Sequence, residues 1–263
     1  MRNRKNEIYT GNYKNIMKKK RCITSARAKT DQKNKSDFIS IVLLCDTPGY
    51  RMKSYGAIPL IPFRRKRLID LQINSIKNVF NNFEVIICVG YDADKVCKYI
   101  KSKYQNLNIR IVENQLYDNS NSCEGVRLCL NNINNNKVII LDGSLLLDIE
   151  TLYDMDTQKS YILTEQGFFE NLEIGVNVGE QGTIEHFGFG AHQAWSEVLF
   201  LSNLDVIESL RKIISSDNFK HKFLFEGLNE LIKTKHKLTV VKNKYPVKKI
   251  NNIKTYHKLR DDL

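Results

Sequence analysis

Ile41-Val42-Leu43-Leu44-Cys45-Asp46-Thr47-Pro48-Gly49-Tyr50-Arg51-Met52 is the stretch from which the rest of the chain can be read. An apolar run stops at a polar turn, and Gly49, Arg51 and Met52 follow at once. Such a run, bounded by turn residues, predicts a buried strand. The polar residues then form a loop beyond the carboxyl end of that strand, where open α/β sheets bind their ligands.

Outward from this stretch the pattern alternates. Strands are predicted over Phe38–Cys45, Glu84–Val89, Asn108–Val112 and Lys137–Leu141, the last entering Asp142-Gly143. Between them, helices are predicted over Leu68–Phe80, from Asp92 or Asp94 through Ile100, and over Asn121–Leu130. Continuously apolar strands alternating with helices predict a parallel sheet covered on both faces. The second half is punctuated by glycine. Tyr161–Thr164, Glu173–Val178 and Thr183–Phe189 read as antiparallel strands or hairpins, and Val198–Leu201 as a further strand. Leu204–Ile214 and Phe219–Ile232 read as helices, Lys237–Val241 as a late strand, and Ile253–Leu263 as a short terminal helix. The expected architecture is α/β: a Rossmann-like three-layer αβα domain over residues 38–263, with a mostly parallel sheet and a mixed second half.

The 263 residues, 42% of them hydrophobic, suffice for a real core. A domain of this size buries roughly 70–75% of its unfolded surface. No window approaches the ~18 uninterrupted apolar residues of a membrane span. The basic start is not followed by an apolar core, so a secretory signal is not expected. Cys22, Cys45, Cys88, Cys97, Cys123 and Cys129 form no C-x-x-C pair, and the five histidines lack metal-ligand spacing. A reducing, cytoplasmic setting follows as the expectation, without a zinc site or disulfide framework.

Of the net charge of +12, residues 1–37 carry +9. That segment is Asn/Lys-rich and without period, and reads as a disordered tail. It can serve as an electrostatic arm for nucleic acid or an anionic surface, or be a solvated tail without a partner.

The motifs resemble those of sugar-phosphate and phosphocholine nucleotidyltransferases. That family opens with a strand and L-A-A-G-x-G-x-R-M; here Leu44–Met52 keeps Gly49, Arg51 and Met52. The P-K-x-L-x-P segment becomes A-I-P-L-I-P at 57–62, and L-I-D-x-Q-I is kept as Leu68-Ile69-Asp70-Leu71-Gln72-Ile73. Val89-Gly90-Tyr91 matches the end of the second strand. Asn114, Tyr117 and Asn121 match N-x-x-Y-x-x-x-N, with Gly125 at the small serine beyond. Trp195-Ser196-Glu197 and Phe225-Glu226 with Leu228-Asn229 are reminiscent as well. The resemblance covers residues 38 to about 256. It implies a glycosyltransferase-A-like fold and transfer of a nucleotidyl group from a nucleoside triphosphate to a phosphorylated small-molecule acceptor, with release of pyrophosphate.

For that chemistry a protein must position two anions and neutralise phosphoryl charge. The resemblance assigns Thr47, Gly49 and Arg51 to the phosphates, with Asn114, Tyr117 and Asn121 as further nucleotide contacts. Trp195 is a candidate acceptor contact or a packing residue. Arg51 can fork onto two phosphate oxygens. Asp142 is the remaining candidate for catalysis and for Mg²⁺, two positions before Ser144, which stands where the family has its metal-binding Asp. Asn251 and Thr255 replace the carboxylates of the family's C-terminal I-D-x-x-x-D-L stretch, and Ile58 replaces its lysine. Lys53 or the Arg64-Arg65-Lys66-Arg67 run can stand in for that lysine. Losing one preorganised charge-stabilising group costs about 10²–10³ in rate, and several losses do not add simply.

The leading expectation is therefore a protein that binds a nucleoside triphosphate or nucleotide sugar, with catalysis reduced or lost and no cofactor. Its first alternative is an active Mg²⁺-dependent nucleotidyltransferase making an activated sugar or a phosphocholine-type product. The others are an adaptor that docks through the basic tail on nucleic acid or an assembly, and a glycosyltransferase of related fold.

Overall fold

The computed structural model describes residues 38–63, 65–153, 155–165, 173–250 and 252–262. The basic tail lies outside the described residues, as do Arg64 and Asn251.

The strands, in chain order, are β1 (Ile39–Cys45), β2 (Pro62–Phe63), β3 (Lys66–Arg67), β4 (Phe83–Val89), β5 (Ile109–Glu113), β6 (Val138–Asp142), β7 (Leu145–Leu147), β8 (Tyr161–Glu165), β9 (Ile174–Val178), β10 (Ile184–Phe189), β11 (Gln193–Leu201), β12 (Thr239–Lys242) and β13 (Val247–Lys249). The helices are α1 (Leu68–Val79), α2 (Ala93–Lys103), α3 (Ser122–Leu130), α4 (Ile149–Tyr153), α5 (Leu204–Ile214), α6 (Leu224–Ile232) and α7 (Ile253–Asp262).

Nine strands form one sheet. Its main path runs β10-β9-β11-β6-β1-β4-β5, with β8 on β11 and β12 on β8. β1 is central and parallel to both β4 and β6, and β4 is parallel to β5. β11 closes on β6 antiparallel, and β9 and β10 form an antiparallel hairpin. The continuously apolar strands are thus the inner ones, buried on both faces. One core lies between the sheet and α1 and α2, around Ile41, Leu43, Ile73, Ile76 and Val96. The other lies under α3, α5 and α6, around Val42, Val126, Leu210 and Leu228. No helix among the described residues is long and apolar enough to cross a membrane. The described cysteines Cys45, Cys88, Cys97, Cys123 and Cys129 are free.

A third cluster fastens the chain's end to its beginning. Tyr256 and Leu259 of α7 pack with Met52, Ile58, Ile61 and Phe63. Tyr256 donates its hydroxyl to the Pro62 carbonyl at 2.9 Å. The terminal helix therefore braces the segment that follows the β1 loop.

The element expected over Phe219–Ile232 is a correction. A 3-10 turn covers Asp217–Phe219, and the α-helix starts only at Leu224. Residues 220–223 run past the start of α3 instead: Asn121 N–H donates to the Lys220 carbonyl and Cys123 N–H to that of Lys222. Glu226 sets the new start by accepting from the Phe223 N–H at 2.8 Å. β11 is also longer than the expected Val198–Leu201: it starts at Gln193, where it pairs with β9, and its register shifts between Trp195 and Leu199.

Candidate functional site

The loop after β1 leaves the sheet at its carboxyl edge. Gly49 has φ +71°, and a Cβ there would collide with Cδ1 of Ile58. A side chain there would strain this backbone and force Ile58 to shift. Ile58, at the place of the family's lysine, is 4% exposed and belongs to the core beneath the loop. Arg51 also takes a left-handed backbone, φ +56°. Its exposed guanidinium lies 5.0 Å from the Tyr50 ring centroid. Thr47 is exposed on the same loop.

Beneath the loop sits Asp46, 5% exposed. Its backbone carbonyl accepts from the Tyr91 N–H, and its side chain accepts from Asn114 Nδ2 at 2.8 Å. Burial raises the pKa of this carboxyl, and the Asn114 bond opposes the rise. Asn114 also reaches Ser120 Oγ at 3.1 Å and accepts from the Leu116 N–H. The amide is therefore spent on holding the loop after β5 against the end of β1. Tyr117 lies over Gly90, where a Cβ would meet it at 2.5 Å, and edge-on to Tyr91. Asn121 caps α3 by position and donates through Nδ2 to the His221 carbonyl at 3.1 Å.

On the other side of β1, the register pairs Leu44 with Asp142. The turn after β6 is held from below. Gln72, 1% exposed, donates to the Leu145 carbonyl at 2.9 Å and the Gly143 carbonyl at 3.3 Å. Asp70 of the same motif accepts from the Arg67 N–H at 2.9 Å, from Lys103 at 2.8 Å and from the hydroxyls of Tyr99 and Tyr104. Both motif residues thus work on the scaffold.

Asp142 accepts at Oδ1 from the Ser144 N–H (2.8 Å) and hydroxyl (2.5 Å). Its Oδ2 lies 3.8 Å from Lys249 Nζ. The same ammonium lies 2.5 Å from Glu197 Oε1. Glu197 gets there through the β11 bulge, where the register shifts between Trp195 and Leu199 and Glu197 takes φ +56°. Lys249 gets there through the β13–β7 pairing, which sets it opposite Leu145. Burial would raise Asp142, but Lys249 and the Ser144 bonds bring it below the usual carboxylate range. Glu197 is pushed up to about 7, by burial first and then by Asp142. Burial works against the charge on Lys249, and the two carboxylates more than offset it.

Mg²⁺ takes near-octahedral oxygen ligation, usually from one or two carboxylates and substrate phosphates. Here the two carboxyls are hydrogen-bonded to each other, and the Lys249 ammonium, which offers only donors, lies against both. The donor set does not fit a divalent cation as it stands. Among the described residues, no group of three or more His, Cys, Asp or Glu is placed to hold a metal.

The other candidates have structural partners. Trp195 donates Nε1–H to the Val198 carbonyl at 3.2 Å and packs on Phe187. Arg67 lies over the Tyr99 ring at 4.3 Å. Lys53, Arg65 and Lys66 are exposed. Thr255 N–H donates to Asn252 Oδ1 at the start of α7. Sequence reasoning did not single out Glu197 or Lys249 as site residues.

No family model matches the chain, and no curated protein matches it in sequence. Solved structures do match. CTP:phosphocholine cytidylyltransferase from Streptococcus pneumoniae aligns with a TM-score of 0.71 at 19% identity, over 85% of this chain and 98% of that one. A putative glucose-1-phosphate thymidylyltransferase from Bacillus anthracis gives 0.68 at 11% identity, over 85% and 94%. The inositol-1-phosphate CTP transferase of T. maritima gives 0.66 at 14% identity, over 85% and 95%. At such identities the likeness carries the fold, which is the nucleotidyltransferase fold that the sequence motifs resemble.

Proposed function

We propose that this chain binds a nucleoside triphosphate or nucleotide sugar at the loop after β1, and that it transfers the nucleotidyl group slowly or not at all. The observation that carries the reading is the engagement of Asp142. Its carboxylate, at the β6 edge beside the loop, is already paired with Ser144 and Lys249. Ile58 supports it, since an apolar side chain packed under Gly49 cannot neutralise a phosphate. Arg51 is exposed and Gly49 half-buried on this loop, where backbone N–H groups and a guanidinium can meet phosphate oxygens. The structural relatives are named for joining a nucleoside triphosphate to phosphocholine or to a sugar or inositol phosphate, so those acceptors are the ones to try.

The test uses each radiolabelled triphosphate with Mg²⁺ or Mn²⁺ and a panel of sugar phosphates, inositol phosphate and phosphocholine. Pyrophosphate release and thermal stabilisation are followed together. Stabilisation by a triphosphate that disappears in Arg51→Ala, without pyrophosphate release, is the expected result. Turnover lost in Asp142→Ala would instead establish an active transferase. No stabilisation by any nucleotide would remove the binding reading.

A further inference from the structure

Two carboxylates from different strands, Asp142 at the end of β6 and Glu197 on the β11 bulge, converge at the carboxyl edge of the sheet. Convergent carboxylates of this kind suit a hard divalent cation. The two carboxyls are hydrogen-bonded to each other, and Lys249 reaches both, 2.5 Å from Glu197 and 3.8 Å from Asp142. We propose that Lys249 is a tethered cation, which offsets one of the two charges of Asp142 and Glu197 from within the chain and keeps divalent metal out of this site.

Three observations support this. Lys249 is delivered by backbone pairing: β13 lies antiparallel to β7, and the Ile250 N–H donates to the Ser144 carbonyl at 3.0 Å. The ammonium is therefore positioned by the sheet and does not arrive as a roaming surface side chain. Glu197 holds a left-handed backbone inside a strand, which a non-glycine residue keeps only when its surroundings enforce it. That conformation directs its carboxylate to Lys249. Lastly, the three side chains are 39% (Lys249), 29% (Asp142) and 27% (Glu197) exposed, so partial burial shifts their charges without sealing them from solvent ions. A divalent ion bound by these carboxylates would sit within a few ångströms of a fixed unit charge of its own sign.

The proposal concerns the same cluster as the functional reading, but it does not depend on nucleotide binding. Its test uses Mn²⁺ alone, so it can fail or succeed whatever the triphosphate assays show. Free Mn²⁺ is followed by electron paramagnetic resonance at pH 8, above the range in which Glu197 keeps its proton, with the full chain and no nucleotide. The wild-type protein is expected to leave Mn²⁺ free. Lys249→Ala is expected to bind about one ion per chain, at least about tenfold more tightly, as loss of a neighbouring like charge predicts. Adding Asp142→Asn should abolish that binding. Lys249→Met, which keeps the apolar stem, repeats the test if the alanine variant does not fold by circular dichroism. Wild-type Mn²⁺ binding that is lost in Asp142→Asn would overturn the proposal. So would a folded Lys249 variant that binds no more Mn²⁺ than wild type.

Discussion

Asn114 donates its side-chain N–H to the carboxylate of Asp46 at 2.8 Å, across 68 positions of sequence. This bond ties the loop after β5 to the root of the β1 loop. Asn114→Ala removes one donor from a buried carboxyl, at a cost of about 1–3 kcal/mol. Urea unfolding should register that loss. Asp46→Ala added to Asn114→Ala should cost less than it does alone, because the two act as one unit. Strict additivity would show that the bond does not hold the loop.

Restoring a lysine at position 58 should not restore a nucleotidyltransferase. Ile58 is buried among Met52, Ile61 and Tyr256. An ammonium there carries a desolvation penalty on the order of several kcal/mol. Ile58→Lys is therefore expected to be strongly destabilised, whereas Ile58→Val should lose only about 0.5–1.5 kcal/mol. Equal melting temperatures for the two variants would contradict the buried setting.

Gln72 holds the turn that presents Asp142, through its bonds to the Leu145 and Gly143 carbonyls. Gln72→Leu keeps much of the volume and deletes these bonds, together with the longer one to the Asp142 carbonyl at 3.5 Å. It should lower stability by about 1–3 kcal/mol. The same change should raise the amide exchange rate of Gly143 and Ser144, measured by hydrogen–deuterium exchange. Unchanged exchange would remove Gln72 from the support of the site.

The pH dependence follows from Glu197, whose carboxyl is pushed up to about 7 from an ordinary 4.5. Between these values the folded chain keeps a proton that the unfolded chain has released. The stabilising contribution is thus complete below the ordinary value and is lost as pH rises through about 7. Asp46 and Glu165 are also raised and act in the same direction, so the informative quantity is a difference. Glu197→Gln, which imitates the protonated carboxyl, should show a flatter fall in melting temperature from pH 5 to 8. Parallel curves for wild type and variant would show that Glu197 titrates normally.

The scaffold was legible because its signals are local. β1, β4 and β6 are apolar apart from Ser40, Glu84 and Asp142, as strands buried on both faces mostly are. The helix over Leu204–Ile214 has the expected ends, since Asn203 accepts the Val206 N–H at 3.1 Å as its cap. Asp70 and Gln72 stood out as a motif, yet their partners are a helix C-terminal region and a turn 33 and 73 positions away. The start of α6 was misread because apolar residues continue upstream of it, while the chain there is committed to backbone bonds with the start of α3.

Alternation of apolar strands and amphipathic helices was enough to specify an α/β sheet and to put the Asp46–Met52 loop and Asp142 at its carboxyl edge. Those properties follow from side-chain burial along each segment, which periodicity records. Folding alone decided that Ile58 faces the core, that Asn114 is spent on Asp46, and that Lys249 reaches Asp142 and Glu197. Lys249 lies 107 positions beyond Asp142 and 52 beyond Glu197, and reaches them through one strand pairing and one bulge. Neither the pairing partner of a three-residue strand nor the placement of a bulge has a local sequence signature. Both are selected by which arrangement satisfies the most buried backbone and charge at once.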